Sequence, residues 1–269
     1  LSQAHPLRGF HAGNRDSLPV AQPEFQQALQ SFYQRYYQTG QMTLSLAGPQ
    51  SLEELRGMAE AFGSAIAKGK FVPQQAPTPL MDTSDKSYQQ AGERRLDLLF
   101  ALEALPASSA QAQAFLCHWL NTGKSGGLLA DLRERGLALE LKASPMYQFE
   151  GQALLHLEFT LPANAGTIAI AERLMDWLSF FARQDWSGLR EEYAALLERQ
   201  QQVCGALQLA RQDSEQGELG LTQQGVKALK HILQQICAVD NFSGPWHLPA
   251  ANPFLRCGGP ASNAGLFFG

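Results

Sequence analysis

The chain has 269 residues, is 45% hydrophobic and 17% charged, and carries a formal net charge of −4, enough for one large domain or two medium ones, each with its own core. Without a basic block or basic–aromatic interleaving, the composition argues against a nucleic-acid or anionic-membrane partner. No apolar run approaches the ~18–20 residues of a membrane span.

The chain opens on LSQAHPLRGF without an initiator Met and closes on GGPASNAGLFFG, so both ends read as cuts through a longer polypeptide. Residues 24–38 place Phe25, Ala28, Leu29, Phe32, Tyr33 and Tyr36 at helical spacing, a broad apolar face that reads as core. MTLSLAG (42–48) alternates and reads as a strand. Ser51 with Glu54 is a capping box opening a helix through Ile66. Residues 70–92 hold three prolines and small polar residues without periodicity, which sets a domain boundary there.

RRLDLLFALEA (94–104) is a nearly continuous apolar run, expected as a strand buried on both faces. A helix over 109–121 leads through a glycine turn into a second helix, 127–135. LALELKA (137–143) and LHLEFTL (155–161) alternate as strands, with Glu150-Gly151-Gln152 able to turn the chain between them. Helices follow at 166–184, 187–210 and 222–238, then a proline-punctuated exit. Strands and helices mix without strict β-α-β alternation, so the fold class is α/β in the α+β sense, a largely antiparallel sheet packed against helices.

The stretch NTGKSGGLLADLRERG (121–136) is the first candidate for chemistry. A phosphate loop G-x-x-x-x-G-K-[ST] would need glycine where His118 stands, and a helix instead of a strand precedes it. The histidines are His5, His11, His118, His156, His231 and His247, with no pair four apart, so H-E-x-x-H and H-x-x-E-H are both missing. His156 and Glu158 share one strand face and can hydrogen-bond a neighbour, a solvated sheet face being the plainer account. Cys117 and His118 point to different sides of their helix. The four cysteines, Cys117, Cys204, Cys237 and Cys257, form no C-x-x-C pair and read as isolated thiols of a reducing compartment. No G-x-S-x-G elbow is present.

Several segments in order resemble the pitrilysin/insulin-degrading family of inverted zinc metallopeptidases. They are His5, Pro6, Phe10, Gly13, Asn14 and Leu18, with Leu7 where the family has Phe; then Phe32, Tyr36 and Tyr37; then Met42, Leu44 and Gly48; then Ser51, Leu52 and Leu55. The family's G-S-L-L-x-x-L-x-x-x-G is matched by Gly126, Leu128, Leu129, Leu132 and Gly136, with Gly127 replacing the serine. Trp246, Leu248, Pro249, Asn252, Pro253, Phe254 and Leu255 resemble the end of the family's second domain. FHAGNRDSL, GGLLADLRERGLA and the NPFL exit are most similar to the branch that serves pyrroloquinoline quinone biosynthesis.

The resemblance implies pitrilysin/mitochondrial-processing-peptidase-like domains: 1–72 the end of the first domain, 73–92 a linker, 93–255 the second domain, 256–269 the start of an interdomain linker. It implies a zinc metalloendopeptidase parent in which two bowl-like halves enclose a chamber. There zinc is held by two histidines of H-x-x-E-H and a distant glutamate, and enclosed peptides add as a strand to a sheet edge. The zinc motif belongs upstream of His5, so this chain alone is expected to hold no catalytic metal and to cleave nothing. Its partners would be the quinone precursor peptide and the remaining domains of the same polypeptide. The implied location is the bacterial cytoplasm, with the periplasm left open because the native N-terminus is missing. A substrate-anchoring exosite falls on Gly126 and the strand 137–144, where Lys142, Ala143 and Ser144 replace the relatives' glycine-rich end; Gly126 as a purely structural turn glycine is the alternative. For the whole chain, the alternative is a non-catalytic family member that binds a partner.

Overall fold

The structure is a computed structural model, and it describes residues 2, 4–8, 13, 18–74, 77–81, 94–216, 219–237, 241–252 and 255. His11, Phe10, Asn14, Pro253, Phe254, most of the 73–92 linker and all of 256–269 lie outside the described residues.

Helices α1 (Pro23–Tyr36) and α2 (Leu52–Ser64) begin the chain. At the start of α2 the Glu54 N–H donates to Ser51 Oγ at 3.3 Å and the Ser51 N–H donates to the Glu54 carboxylate at 2.8 Å. That reciprocal capping box satisfies two N-terminal donors the helix cannot bond internally. The expectation that the α1 stripe is core is overturned: neither helix buries a residue, and Leu29, Phe32, Tyr33 and Tyr37 are all more than half exposed. The helical spacing is real, but no described element lies over it. The rings contact one another instead, Phe32 tilted against Tyr36 at 4.8 Å and Tyr33 stacked on Tyr37 at 4.7 Å. The strand expected at 42–48 is corrected too, since those residues pair with no strand among the described residues. Alternation provides a face for a strand, not the neighbour that makes it one.

The core belongs to the rest of the chain. Strands β1 (Arg95–Leu102), β2 (Glu140–Phe149) and β3 (Gln152–Thr160) form an antiparallel sheet in the order β1-β3-β2. The tight β2–β3 turn puts Glu150 at φ 42° and Gly151 at φ 79°, positive at both central positions as a type I′ hairpin requires. Leu155, Leu157 and Phe159 of central β3 are at most 1% exposed. Onto their face pack α3 (Ser109–Asn121), α4 (Leu128–Glu134), α5 (Thr167–Phe181) and α8 (Gln223–Ile236), with Leu189 and Tyr193 of α6 (Ser187–Gln202). Helix α3 is buried nearly all round, between β2 and α8. Burying one of its large apolar side chains contributes about 1.5–3 kcal/mol.

Three further expectations shift. The 94–104 run is not buried on both faces: β1 is an edge strand whose Leu96, Leu98 and Phe100 turn to the core while Leu99 is 57% exposed. The helix expected at 187–210 is two, α6 and α7 (Ala206–Gln216), broken where Gly205 interrupts the run. The strand expected from 137 starts at Glu140, because the Leu137 and Ala138 N–H groups first bond back to the Leu132 carbonyl and close α4.

Candidate functional site

The glycine loop between α3 and α4 spends its polar groups on the fold. Lys124 pairs with one oxygen of Glu192, and the other oxygen accepts the Asn252 N–H at 3.1 Å, which ties loop, α6 and exit segment together. Gly126 sits at φ +82°, and a Cβ placed there would fall 1.7 Å from His247 Nδ1 and 2.6 Å from its carbonyl oxygen. The position therefore needs glycine twice over, for its backbone conformation and for the close passage of the exit segment. The packing favours the structural reading of Gly126.

The other three residues of the proposed anchor lie on β2. Ala143 stands opposite Leu157 in the ladder and is 4% exposed; Lys142 is exposed; Ser144 is half-buried opposite His156. Sequence reasoning missed their neighbour Asn121, the last residue of α3. Its carboxamide donates to the Ala143 carbonyl at 2.9 Å and accepts the Ala143 N–H at 2.6 Å. A cleft of about 220 Å³ opens beside this point, lined by Asn121, Leu129, Arg133, Glu140, Leu141, Lys142, Glu158 and Thr160. Gly126 is not among its walls, so the structure brings Lys142, Ala143 and Asn121 to one strand edge and leaves Gly126 outside. No local sequence signal marks Asn121, since its role depends on a contact 22 residues away.

The face of the sheet turned from the helices is polar. The His156 imidazole meets Asp97 at 2.8 Å, and Arg95 bonds both Asp97 (2.8 Å) and Glu158 (3.3 Å). The hydrogen-bonding neighbour expected for His156 and Glu158 is thus Asp97 with Arg95, and the face is partly shielded instead of fully solvated. Asp97, His156 and Glu158 offer three ligand atoms within 4.8 Å of one another. The set has one histidine and two carboxylates with a guanidinium already seated on both acids, so it does not fit the zinc site of two histidines and a glutamate that the resemblance implies. At the hairpin end of the face, His5 is buried: the Leu7 N–H donates to its Nδ1, so Nε2 carries the proton toward Gln152 Oε1 at 3.1 Å. Gln152 in turn donates to the Thr78 carbonyl and to Glu103. The histidine of the HPL segment is therefore a structural pin between the N-terminal segment and β3.

Burial pushes the Cys117 thiol up to about 12, which keeps it protonated and unreactive. His118 lies against the rings of Trp119 and Tyr193, and burial pulls its pKa down despite the opposing charge of Glu192. Among the described residues, neither forms a nucleophile–base pair.

Comparison with known proteins follows the same lines. Residues 25–193 match the family model described as the Peptidase M16 inactive domain. A coenzyme PQQ synthesis protein F from Pseudomonas protegens is 54% identical over 274 residues, covering 100% of this chain and 33% of that protein. The protein of the same name from Pseudomonas syringae pv. tomato is 49% identical over 268 residues, covering 95% and 34%. The chain thus spans about a third of the length of the curated relatives it matches. The crystal structure of pitrilysin superposes with a TM-score of 0.60 at 15% identity, over 87% of this chain and 28% of that one, a likeness of fold.

Proposed function

The chain belongs to the peptidase M16 family, and from that premise we propose that it is the non-catalytic wall and peptide-binding part of a zinc metalloendopeptidase serving pyrroloquinoline quinone synthesis. The observation that carries this reading is the 54% identity to a PQQ synthesis protein F along the whole chain. In this reading 1–72 closes a first domain, 73–92 links, 93–255 is the second domain and 256–269 leads onward. The polar sheet face and the β2 edge are turned to the peptide. The catalytic zinc and its general base come from the remaining polypeptide, and no bond-breaking step is assigned to residues of this chain. The chain's contribution is to hold and orient an extended peptide, which raises the effective concentration of the scissile bond at the metal.

The test is reconstitution. The full polypeptide should cleave the quinone precursor peptide in the presence of zinc, the 269-residue chain alone should not, and supplying the chain in trans to the remaining polypeptide should restore cleavage. Cleavage by the remaining polypeptide at the full rate without this chain would sink the proposal. The description of the matched model as an inactive domain also supports the second reading, a partner-binding family member without activity. A degenerate H-x-x-E-H upstream, with no cleavage by the full polypeptide, selects that one.

A further inference from the structure

The outer edge of β2 is interrupted at successive positions. Ala143 directs its N–H and C=O away from β3, and Asn121 takes both, at 2.6 and 2.9 Å. A carboxamide offers one donor and one acceptor side by side, as a peptide group does, so Asn121 occupies the place of one residue of an added strand. The next outward position, Pro145, has no N–H to offer. The register then shifts between Pro145 and Tyr147, which breaks the ladder's repeat. Beyond it, the Gln148 side chain is held to α3 through Ser109 and Gln113. In the other direction the two-residue period of a strand turns the Leu141 backbone the same way as that of Ala143. Leu141 lines the cleft of about 220 Å³, which is smaller than the ~300–1,000 Å³ of pockets that enclose drug-sized ligands.

We propose that Asn121 is a register stop. It ends strand addition at Ala143, so the β2 edge takes the end of an extended peptide at Leu141 and refuses a longer pairing. The proposal rests on the reading of β2 as a peptide-binding edge and adds what sets the length of its ligand. Asn121 acts by occupying the edge, so it is a specificity-determining residue with no part in chemistry.

The test compares wild type with Asn121→Gly and Asn121→Asp in the 269-residue chain. Binding of two fluorescein-labelled probes is read by anisotropy: a Thr/Val-rich dodecapeptide with a free N-terminus, and its first three residues alone. The wild type should bind both with the same affinity. Asn121→Gly should bind the dodecapeptide on the order of tenfold more tightly than wild type, from the two backbone groups released at Ala143, with the tripeptide unchanged. The Ala143 amide should exchange slowly in the wild type, fast in the free variant, and slowly again when the variant holds the dodecapeptide. Asn121→Asp keeps the acceptor and the shape while losing the donor, and should gain a smaller factor; it decides the matter if the glycine variant does not fold. A dodecapeptide that already binds the wild type better than the tripeptide, or a variant that gains nothing from length, overturns the register stop and leaves the binding edge standing. Failure of every variant to bind either probe overturns both.

Discussion

Substituting Asp176 should detach the exit segment from α5. Its carboxylate accepts the Ser243 N–H (2.7 Å), the Gly244 N–H (2.8 Å) and the Trp246 indole N–H (2.7 Å), while the Arg173 guanidinium lies 4.2 Å over the Trp246 ring. Hydrogen bonds to a charged acceptor contribute about 1.5–3 kcal/mol each, and neighbours in one network are not additive. Asp176→Asn keeps one acceptor oxygen but turns an amide NH₂ toward at least one of the three donors. The expected loss at pH 7 is about 2–4 kcal/mol. With a urea slope of at least ~2 kcal/mol/M, that lowers the unfolding midpoint by roughly 1–2 M. Tryptophan fluorescence suits the assay, because Trp246 and the three other tryptophans all lie in the one hydrophobic core.

The pH dependence gives a second, independent check. Burial pushes the Asp176 carboxyl up, but the hydrogen bonds from Ser243, Trp246 and Gly244, with the Arg173 charge, outweigh it and hold the pKa below the usual range. A group depressed on folding stabilises above its unfolded pKa, about 3.9 for aspartate, and loses that contribution as pH falls through the folded value. The gap between wild type and Asp176→Asn should therefore be full at pH 7 and narrow below about pH 4. A loss under about 0.5 kcal/mol at pH 7, or a gap that does not change with pH, would refute the reasoning.

Gly126→Ala meets both a positive φ and the His247 ring, and should cost about 1–3 kcal/mol in the same urea assay. Its effect should be less than additive with Asp176→Asn, because both act on the docking of one segment. Cys117, buried and with its thiol pushed up to about 12, should resist iodoacetamide at pH 8 in the folded chain; labelling at the rate of an unfolded control would contradict its placement. The uncovered α1 face should make the isolated chain self-associate in light scattering, and Phe32→Ser with Tyr33→Ser should return it toward a monomer. Unchanged association in the double variant would place the sticky surface elsewhere.

The residues themselves determined the local structure wherever its cause is local. The Ser51–Glu54 box starts α2, the Glu150-Gly151 pair turns the hairpin, and the alternation of 155–161 makes β3 the strand whose apolar side is core. The order of the HPL, glycine-loop and NPFL segments gave the family. Tertiary structure decided what depends on neighbours. The same apolar periodicity is a core face in α8 and an uncovered one in α1, because a helix pattern states which side wants burial and not what lies against it. The run at 94–104 became an alternating edge strand because, among the described residues, β3 is its one sheet neighbour and the helices pack on one face of the sheet. Gly126 has no room for a side chain because His247, far along the chain, passes within the volume of a methyl group. The Asn121 carboxamide bonds both backbone groups of Ala143 because the end of α3 lies next to that residue, a neighbour 22 positions away in the sequence.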